Sequence, residues 1–238
     1  MTKTSAEVLV DSLLAQGATT AFGVPGESYL AVLDAIYEVS DHIRMVPNRH
    51  EGGAAFMAAA WGKLTGQPGV VFVTRGPGAS NAAIGVHTAM QDSSPMVLFI
   101  GQVGSSMKGR EAFQEIDYRA FFGSVAKWVV EVDDPDRMAE AVSRAFAVAQ
   151  SGRPGPVVVA LPEDVLAAQT DRMAGPKLQI PEAAPPTETV EKAVALIGQS
   201  ERPVMLVGGG GWTESGRVAL ANFAGITGIP VALSLIHI

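Results

Sequence analysis

The run Gly69-Val70-Val71-Phe72-Val73-Thr74 is apolar and rich in β-branched residues, ends abruptly in Arg75-Gly76-Pro77-Gly78, and leads into a helical stretch from Ser80 to Met90. The next apolar run, Met96 to Gly101, follows at once. Strand, glycine or proline turn, helix, strand is the order of a parallel sheet with helices on both faces, because a parallel neighbour can be reached only by a crossover. The same alternation extends to either side. Thr4-Ser5-Ala6-Glu7 has the pattern of a capping box, and Val8, Leu9, Leu13 and Leu14 then share a helical face as far as Gly17. A strand from Thr20 to Val24 stops at Pro25-Gly26. A helix over Ser28 to Ile36, a strand over Ile43 to Val46 and an alanine-rich helical run over Ala54 to Leu64 come next. Ala126 to Val132, Pro135 to Gln150 and Pro156 to Leu161 read as strand, helix and strand.

Two segments break the rhythm. Gly104 to Gly123 is polar, glycine-bearing and charged, and irregular stretches of that length inside a domain are usually functional or mobile. From Glu163 to Pro186 the period is lost among alanines, prolines and scattered charges. The expected organisation is a first domain over residues 1–165, a linker over 166–186 lying on the surface, and the beginning of a second α/β domain over 187–238. That second part opens with a helix carrying Val190, Ala193, Val194 and Ile197 on one face. A strand from Pro203 to Val207 runs into Gly208 to Gly211, a helix covers Glu214 to Ala224, and a strand from Ile229 is still running at Leu235-Ile236-His237-Ile238. The second domain is therefore expected to be incomplete.

Composition removes several functions. A net charge of −7 with no clustered Lys or Arg gives nucleic acid and anionic membrane nothing to bind. There is no cysteine, hence no disulfide framework, thiolate nucleophile or Cys-ligated metal, as suits a reducing cytoplasm. The N-terminus has no signal-peptide apolar core, and apolar runs such as Pro156 to Pro162 are far too short to span a bilayer. The expected protein is cytoplasmic, with no nucleic acid and no membrane among its partners.

Asn48-Arg49-His50-Glu51-Gly52-Gly53 places a carboxylate at a strand-to-helix junction. In an open α/β sheet such junctions face the crevice where ligands bind. A lone Glu there can simply complement the helix macrodipole, and Gly76-Pro77-Gly78 can be a tight turn as readily as a ligand contact. No phosphate loop is present: neither Gly76-Pro77-Gly78 nor Gly208 to Gly211 completes a G-x-G-x-x-G, and no G-x-x-x-x-G-K-[ST] occurs. His42, His50, His87 and His237 have no metal-ligand spacing.

Taken together, Phe22-Gly23-Val24-Pro25-Gly26, His50-Glu51-Gly52-Gly53 and Val73-Thr74-Arg75-Gly76-Pro77-Gly78-Ala79-Ser80-Asn81 resemble the pyrimidine-binding domain of thiamine-diphosphate enzymes, most closely the acetolactate synthase branch. The resemblance runs from the first helix to about Val231 and implies a thiamine-diphosphate pyrimidine-binding fold. It implies that Glu51 hydrogen-bonds N1′ of the aminopyrimidine, favouring the imino tautomer whose 4′ nitrogen takes the C2 proton of the thiazolium. Glutamine could not exchange that proton and aspartate would fall short. Val24, Pro25, Gly26, Gly76, Pro77, Gly78 and Asn81 would border the cofactor, and Phe113 and Gln114 would reach its substrate side, or else pack a loop against a neighbouring subunit. The family binds diphosphate and Mg²⁺ through a Gly-Asp-Gly motif in a third domain, which these residues do not contain. The glycines from Gly208 make FAD possible. Partners implied are a 2-oxo acid and a second copy of the chain, as a homodimer or homotetramer sharing active sites.

Three positions depart from the branch. Glu27 stands where a second glycine is usual, Arg75 where serine is usual, and Glu163, in Leu161-Pro162-Glu163-Asp164, where lysine is usual. A carboxylate at 163 would disfavour an anionic substrate nearby. Other readings are an aromatic 2-oxo acid decarboxylase, a 2-hydroxyacyl-CoA lyase, or a non-catalytic fragment of the same fold.

Overall fold

The computed structural model describes residues 2–181, 183–209 and 212–234. It divides into two compact units, Met1–Gln179 and Ile180–Ile238. In chain order the first unit contains β1 (Lys3–Thr4), α1 (Ser5–Ala15), β2 (Thr20–Gly23), α2 (Leu30–Glu38), β3 (Arg44–Pro47), α3 (Glu51–Thr65), β4 (Gly69–Thr74), α4 (Arg75–Gln91) and β5 (Met96–Gln102). It continues with α5 (Tyr118–Phe122), β6 (Trp128–Glu131), α6 (Met138–Gln150), β7 (Pro156–Pro162), α7 (Glu163–Ala167) and β8 (Gln169–Thr170).

Six strands form one wholly parallel sheet in the order β3-β2-β4-β5-β7-β6. Side chains alternate across it, and the alternation decides which helix lies where. Val70, Phe72, Val97, Phe99, Val157, Val159 and Leu161 point into the layer filled by α1, α2 and α6. Val71, Val73, Leu98, Ile100, Val158 and Ala160 point into the layer filled by α3, α4 and α5. β5 and β7 are buried along their whole length, which explains why their sequences lack a polar face. Through the first layer runs an aromatic stack, Tyr29 on Phe72 (5.8 Å between centroids) and Phe72 on Phe99 (4.9 Å).

The strand order reverses direction between β2 and β4: the chain leaves β2 for β3 on one side, then crosses back to β4 and β5 on the other. The connections after β2 and β4 therefore diverge and leave a crevice at their carboxyl ends.

Three details differ from expectation. α4 begins at Arg75 rather than Ser80, so Gly76-Pro77-Gly78 forms its first turn. Proline fits there because the first N–H groups of a helix have no intrahelical partner to lose. Residues 118–122, expected to be irregular, form the short helix α5, capped by the Asp117 carboxylate accepting from the Ala120 amide at 3.0 Å. The stretch after Pro162 is ordered on the first unit: Leu166 and Thr170 are buried, β8 pairs antiparallel with β1, and Gln16 bonds to Pro176 and Leu178.

The second unit contains α8 (Thr187–Gln199), β9 (Met205–Val207), α9 (Glu214–Thr227) and β10 (Val231–Leu233), with β9 and β10 parallel. Gly210, Gly211 and the expected strand end at Leu235 to Ile238 lie outside the described residues.

Candidate functional site at the carboxyl ends of the parallel strands

Glu51 is the first residue of α3, immediately beyond the carboxyl end of β3. The turn that delivers it is tied down on both sides. Asn48 donates its backbone N–H to the Gly23 carbonyl at 2.7 Å and its side-chain amide to Val46 at 2.9 Å, holding the exit of β3 to β2. His50 then caps the helix, Nδ1 accepting from the Gly52 N–H at 3.0 Å. α4 packs along α3 through small residues, among them Ala54, Ala55, Ala58, Ala79 and Ala82. That close approach brings Asn81 onto the carboxylate, where Nδ2 donates to Glu51 Oε2 at 2.9 Å. Thus Glu51 is half-buried, oriented by a neighbouring helix, and retains a second oxygen.

The loop after β2 forms the opposite wall. Tyr29, 1% exposed, donates its hydroxyl to the Val24 carbonyl. Burial chiefly, and the negative charge of Glu51 second, push the phenol well above the ordinary tyrosine range. The hydroxyls of Ser28 and Thr74 share a 2.6 Å hydrogen bond that joins this loop to the end of β4. Gly26 must lack a side chain, since a Cβ there would lie 2.6 Å from Cβ of Thr74. Across the crevice Gly76 donates its N–H to the Gln114 carbonyl at 2.9 Å, and a Cβ at Gly76 would stand 2.8 Å from that oxygen. Gln114 therefore meets the Gly-Pro-Gly turn through its main chain, with φ at 66°, while Phe113 is 72% exposed. Val24, Pro25, Gly26, Glu51, Gly76, Pro77, Gly78 and Asn81 all fall at the carboxyl ends of β2, β3 and β4.

The Phe113-Gln114 segment is held from two further points. Gln102, buried at the end of β5, donates to the Ile116 carbonyl at 3.3 Å. The Glu115 carboxylate accepts from the amides of Gly109 (2.6 Å) and Ala112 (3.2 Å), and the Gly109 bond above all draws Glu115 below the ordinary glutamate range. Beneath this loop a cavity of about 630 Å³ is lined by Gln102, Lys108, Glu115, Tyr118, Arg119 and Glu131, among others, and takes no residue from the Glu51 cluster.

The three departures noted in the sequence meet at one point. Arg75, 9% exposed, donates Nη2 to Glu163 Oε2 at 3.0 Å and stands 3.4 Å from Glu27 Oε1 through Nη1. Glu163 is thus no bare carboxylate facing the crevice; its charge is engaged by Arg75. Neither this cluster nor the role of Tyr29 was apparent from sequence, since Glu27, Arg75 and Glu163 follow three different strands. Among the described residues no group of three or more His, Cys, Asp or Glu side chains could hold a metal ion, and no helix is long and apolar enough to cross a membrane.

Residues 3–121 match the family model of the thiamine pyrophosphate enzyme N-terminal TPP binding domain. The chain is 41% identical over 236 residues to the acetolactate synthase large subunit of Corynebacterium glutamicum, covering 98% of this chain and 38% of that protein. It is 38% identical over 237 residues to the probable acetolactate synthase large subunit of Methanocaldococcus jannaschii, covering 97% and 40%. Acetolactate synthase 3, chloroplastic, of Brassica napus is 39% identical over 237 residues, covering 97% and 36%. The chain thus spans about two fifths of the length of these curated relatives.

Proposed function

The chain belongs to the thiamine pyrophosphate enzymes, whose N-terminal TPP binding domain it carries, and we propose that it serves thiamine-diphosphate-dependent decarboxylation and carboligation of 2-oxo acids in the manner of an acetolactate synthase. The observation that carries this reading is the setting of Glu51: a half-buried carboxylate at a crevice edge, with Oε2 held by Asn81 at 2.9 Å. The residues present fit the aminopyrimidine. A Cβ at Gly78 would sit 3.5 Å from Glu51 Oε1, so the glycine keeps clear the space beside the free oxygen.

Bound thiamine diphosphate supplies a carbon nucleophile for the carbonyl of a 2-oxo acid. Glu51 holds and exchanges the proton at N1′ of the aminopyrimidine, a task for which a carboxyl group placed within hydrogen-bond reach suffices. Asn81 fixes the carboxylate rotamer so that one oxygen serves the ring. Val24, Pro25 and Gly26 border the ring on the β2 side, and Gly76, Pro77 and Gly78 on the β4 side. Phe113 and Gln114 would reach the substrate side of the bound cofactor from the loop that the Gly76 amide tethers.

Mg²⁺ and the diphosphate belong, in this reading, to a Gly-Asp-Gly segment, of which the 238 residues contain none. FAD would be the further cofactor of the second unit, and the setting cytoplasmic. A homodimer or homotetramer is supported by apolar surface left on α3 and α4, where Phe56 and Met57 are each 41% exposed, Ile84 57% and Leu64 86%. The test is product analysis with the intact protein, thiamine diphosphate, Mg²⁺ and pyruvate. Acetolactate is expected; acetaldehyde alone would move the protein to a simple decarboxylase, and no consumption of pyruvate would remove the proposal.

A further inference from the structure

Building on the proposed 2-oxo acid chemistry, we infer that Arg75 is the specificity-determining residue that receives the substrate carboxylate, with Glu163 as its anchor and Glu27 as a placeholder that the incoming carboxylate displaces. The two glutamates hold the same guanidinium unequally. Glu163 accepts a hydrogen bond from Nη2 at 3.0 Å with its side chain 48% exposed, whereas Glu27 is 71% exposed and only an ion pair, at 3.4 Å, joins it to Nη1. Arginine offers five N–H donors in a planar fork matched to a carboxylate, and here one of them, the buried Nε, has no partner. The guanidinium is under-used for a group so deeply placed.

Its position favours a ligand over a purely structural strut. Arg75 follows β4 and Glu27 follows β2, so their pair spans the point where the strand order reverses and the crevice opens. One helical turn beyond Arg75, Gly78 flanks the Glu51 carboxylate. The backbone at Arg75 is at φ 21°, a conformation L-residues rarely adopt, and such outliers persist where the surroundings demand them. A substrate carboxylate that takes the place of Glu27 on Nη1 leaves Arg75 with two anionic partners as before. Glu27, already largely hydrated, swings into water. An uncharged analogue has no group to make that exchange, so the triad discriminates by charge.

The experiment uses the full-length holoenzyme with saturating thiamine diphosphate and Mg²⁺, measuring kcat and KM for pyruvate and the inhibition constant of its amide. Glu27→Gln weakens the placeholder and should lower KM for pyruvate roughly two- to fivefold with kcat little changed. Arg75→Met should raise KM for pyruvate roughly tenfold or more while leaving inhibition by the amide unaltered. An unchanged or higher KM in Glu27→Gln overturns the inference, and that variant alone decides if Arg75→Met does not fold. Equal weakening of acid and amide by Arg75→Met reduces the residue to a structural role. A wild-type protein that turns over no 2-oxo acid defeats the parent reading instead, and so separates the two failures.

Discussion

Removing a single oxygen tests how the wall beside Glu51 is held. Tyr29→Phe keeps the ring stacked on Phe72 and deletes the hydroxyl that donates to the Val24 carbonyl. Because Tyr29 is 1% exposed, water replaces the lost bond poorly. The expected loss at neutral pH is about 1–2 kcal/mol of unfolding free energy, one net hydrogen bond plus part of the cost of a carbonyl left unpaired. A second consequence appears at alkaline pH. Burial and Glu51 raise the Tyr29 phenol above its ordinary value of 10.0, so the native state keeps a proton that the unfolded chain releases. The associated stability is complete below about pH 10 and is lost as pH rises towards the folded value, at up to about 1.4 kcal/mol per pH unit. Tyr118, raised mainly by its own burial, contributes a second such slope. Phenylalanine at 29 removes one of the two. Denaturant unfolding of wild type and variant, at neutral pH and in steps above pH 10, reads both arms, with tyrosine absorbance reporting ionisation. Alkaline stability curves that run parallel, or a neutral-pH difference under about 0.3 kcal/mol, would mean that the Tyr29 hydroxyl neither holds the Val24 carbonyl nor keeps its proton in the folded state.

Other consequences concern the elements that frame the crevice. Gly76→Ala drives a Cβ against the Gln114 carbonyl, 2.8 Å away, and should increase amide exchange over residues 113–116 while leaving β4 and β5 protected. Glu115→Gln should loosen the 109–115 loop in hydrogen exchange. In wild type the same loosening should appear as pH falls below the ordinary glutamate value of 4.5, because a depressed carboxyl contributes stability above that value and loses it as the folded form is protonated. Thr4→Ala removes one half of the capping box at α1, the Thr4 hydroxyl that accepts from the Glu7 amide, while the Glu7 carboxylate still accepts from the residue-4 amide, and should cost about 1 kcal/mol in thermal or chemical unfolding.

The parts of the fold that were legible in the sequence are those where one physical signal dominates. Gly69 to Thr74 and Pro156 to Leu161 read as strands because full burial on both faces demands unbroken apolar runs. The start of α4 was hidden, since Gly-Pro-Gly ordinarily ends structure and only the first turn of a helix accommodates it. β8 is two residues long and owes its existence to pairing with β1 at the other end of the unit, which no local pattern encodes. In the site, Glu51 alone could have served only the helix macrodipole, and it stood out through the company of Phe22-Gly23-Val24-Pro25-Gly26 upstream and Arg75-Gly76-Pro77-Gly78 downstream. Its orientation by Asn81, 30 residues away, is a product of the packing of α3 on α4. Glu27, Arg75 and Glu163 looked like three separate departures, and only the sheet order shows that one guanidinium answers both carboxylates.

If Glu51 governs a proton on the cofactor ring, as proposed, deuterium exchange at C2 of bound thiamine diphosphate in the intact protein reads it without any substrate. Glu51→Gln should bind the cofactor yet slow that exchange by about 10²–10⁴-fold. Exchange at the wild-type rate in the glutamine variant would show that Glu51 does not handle that proton.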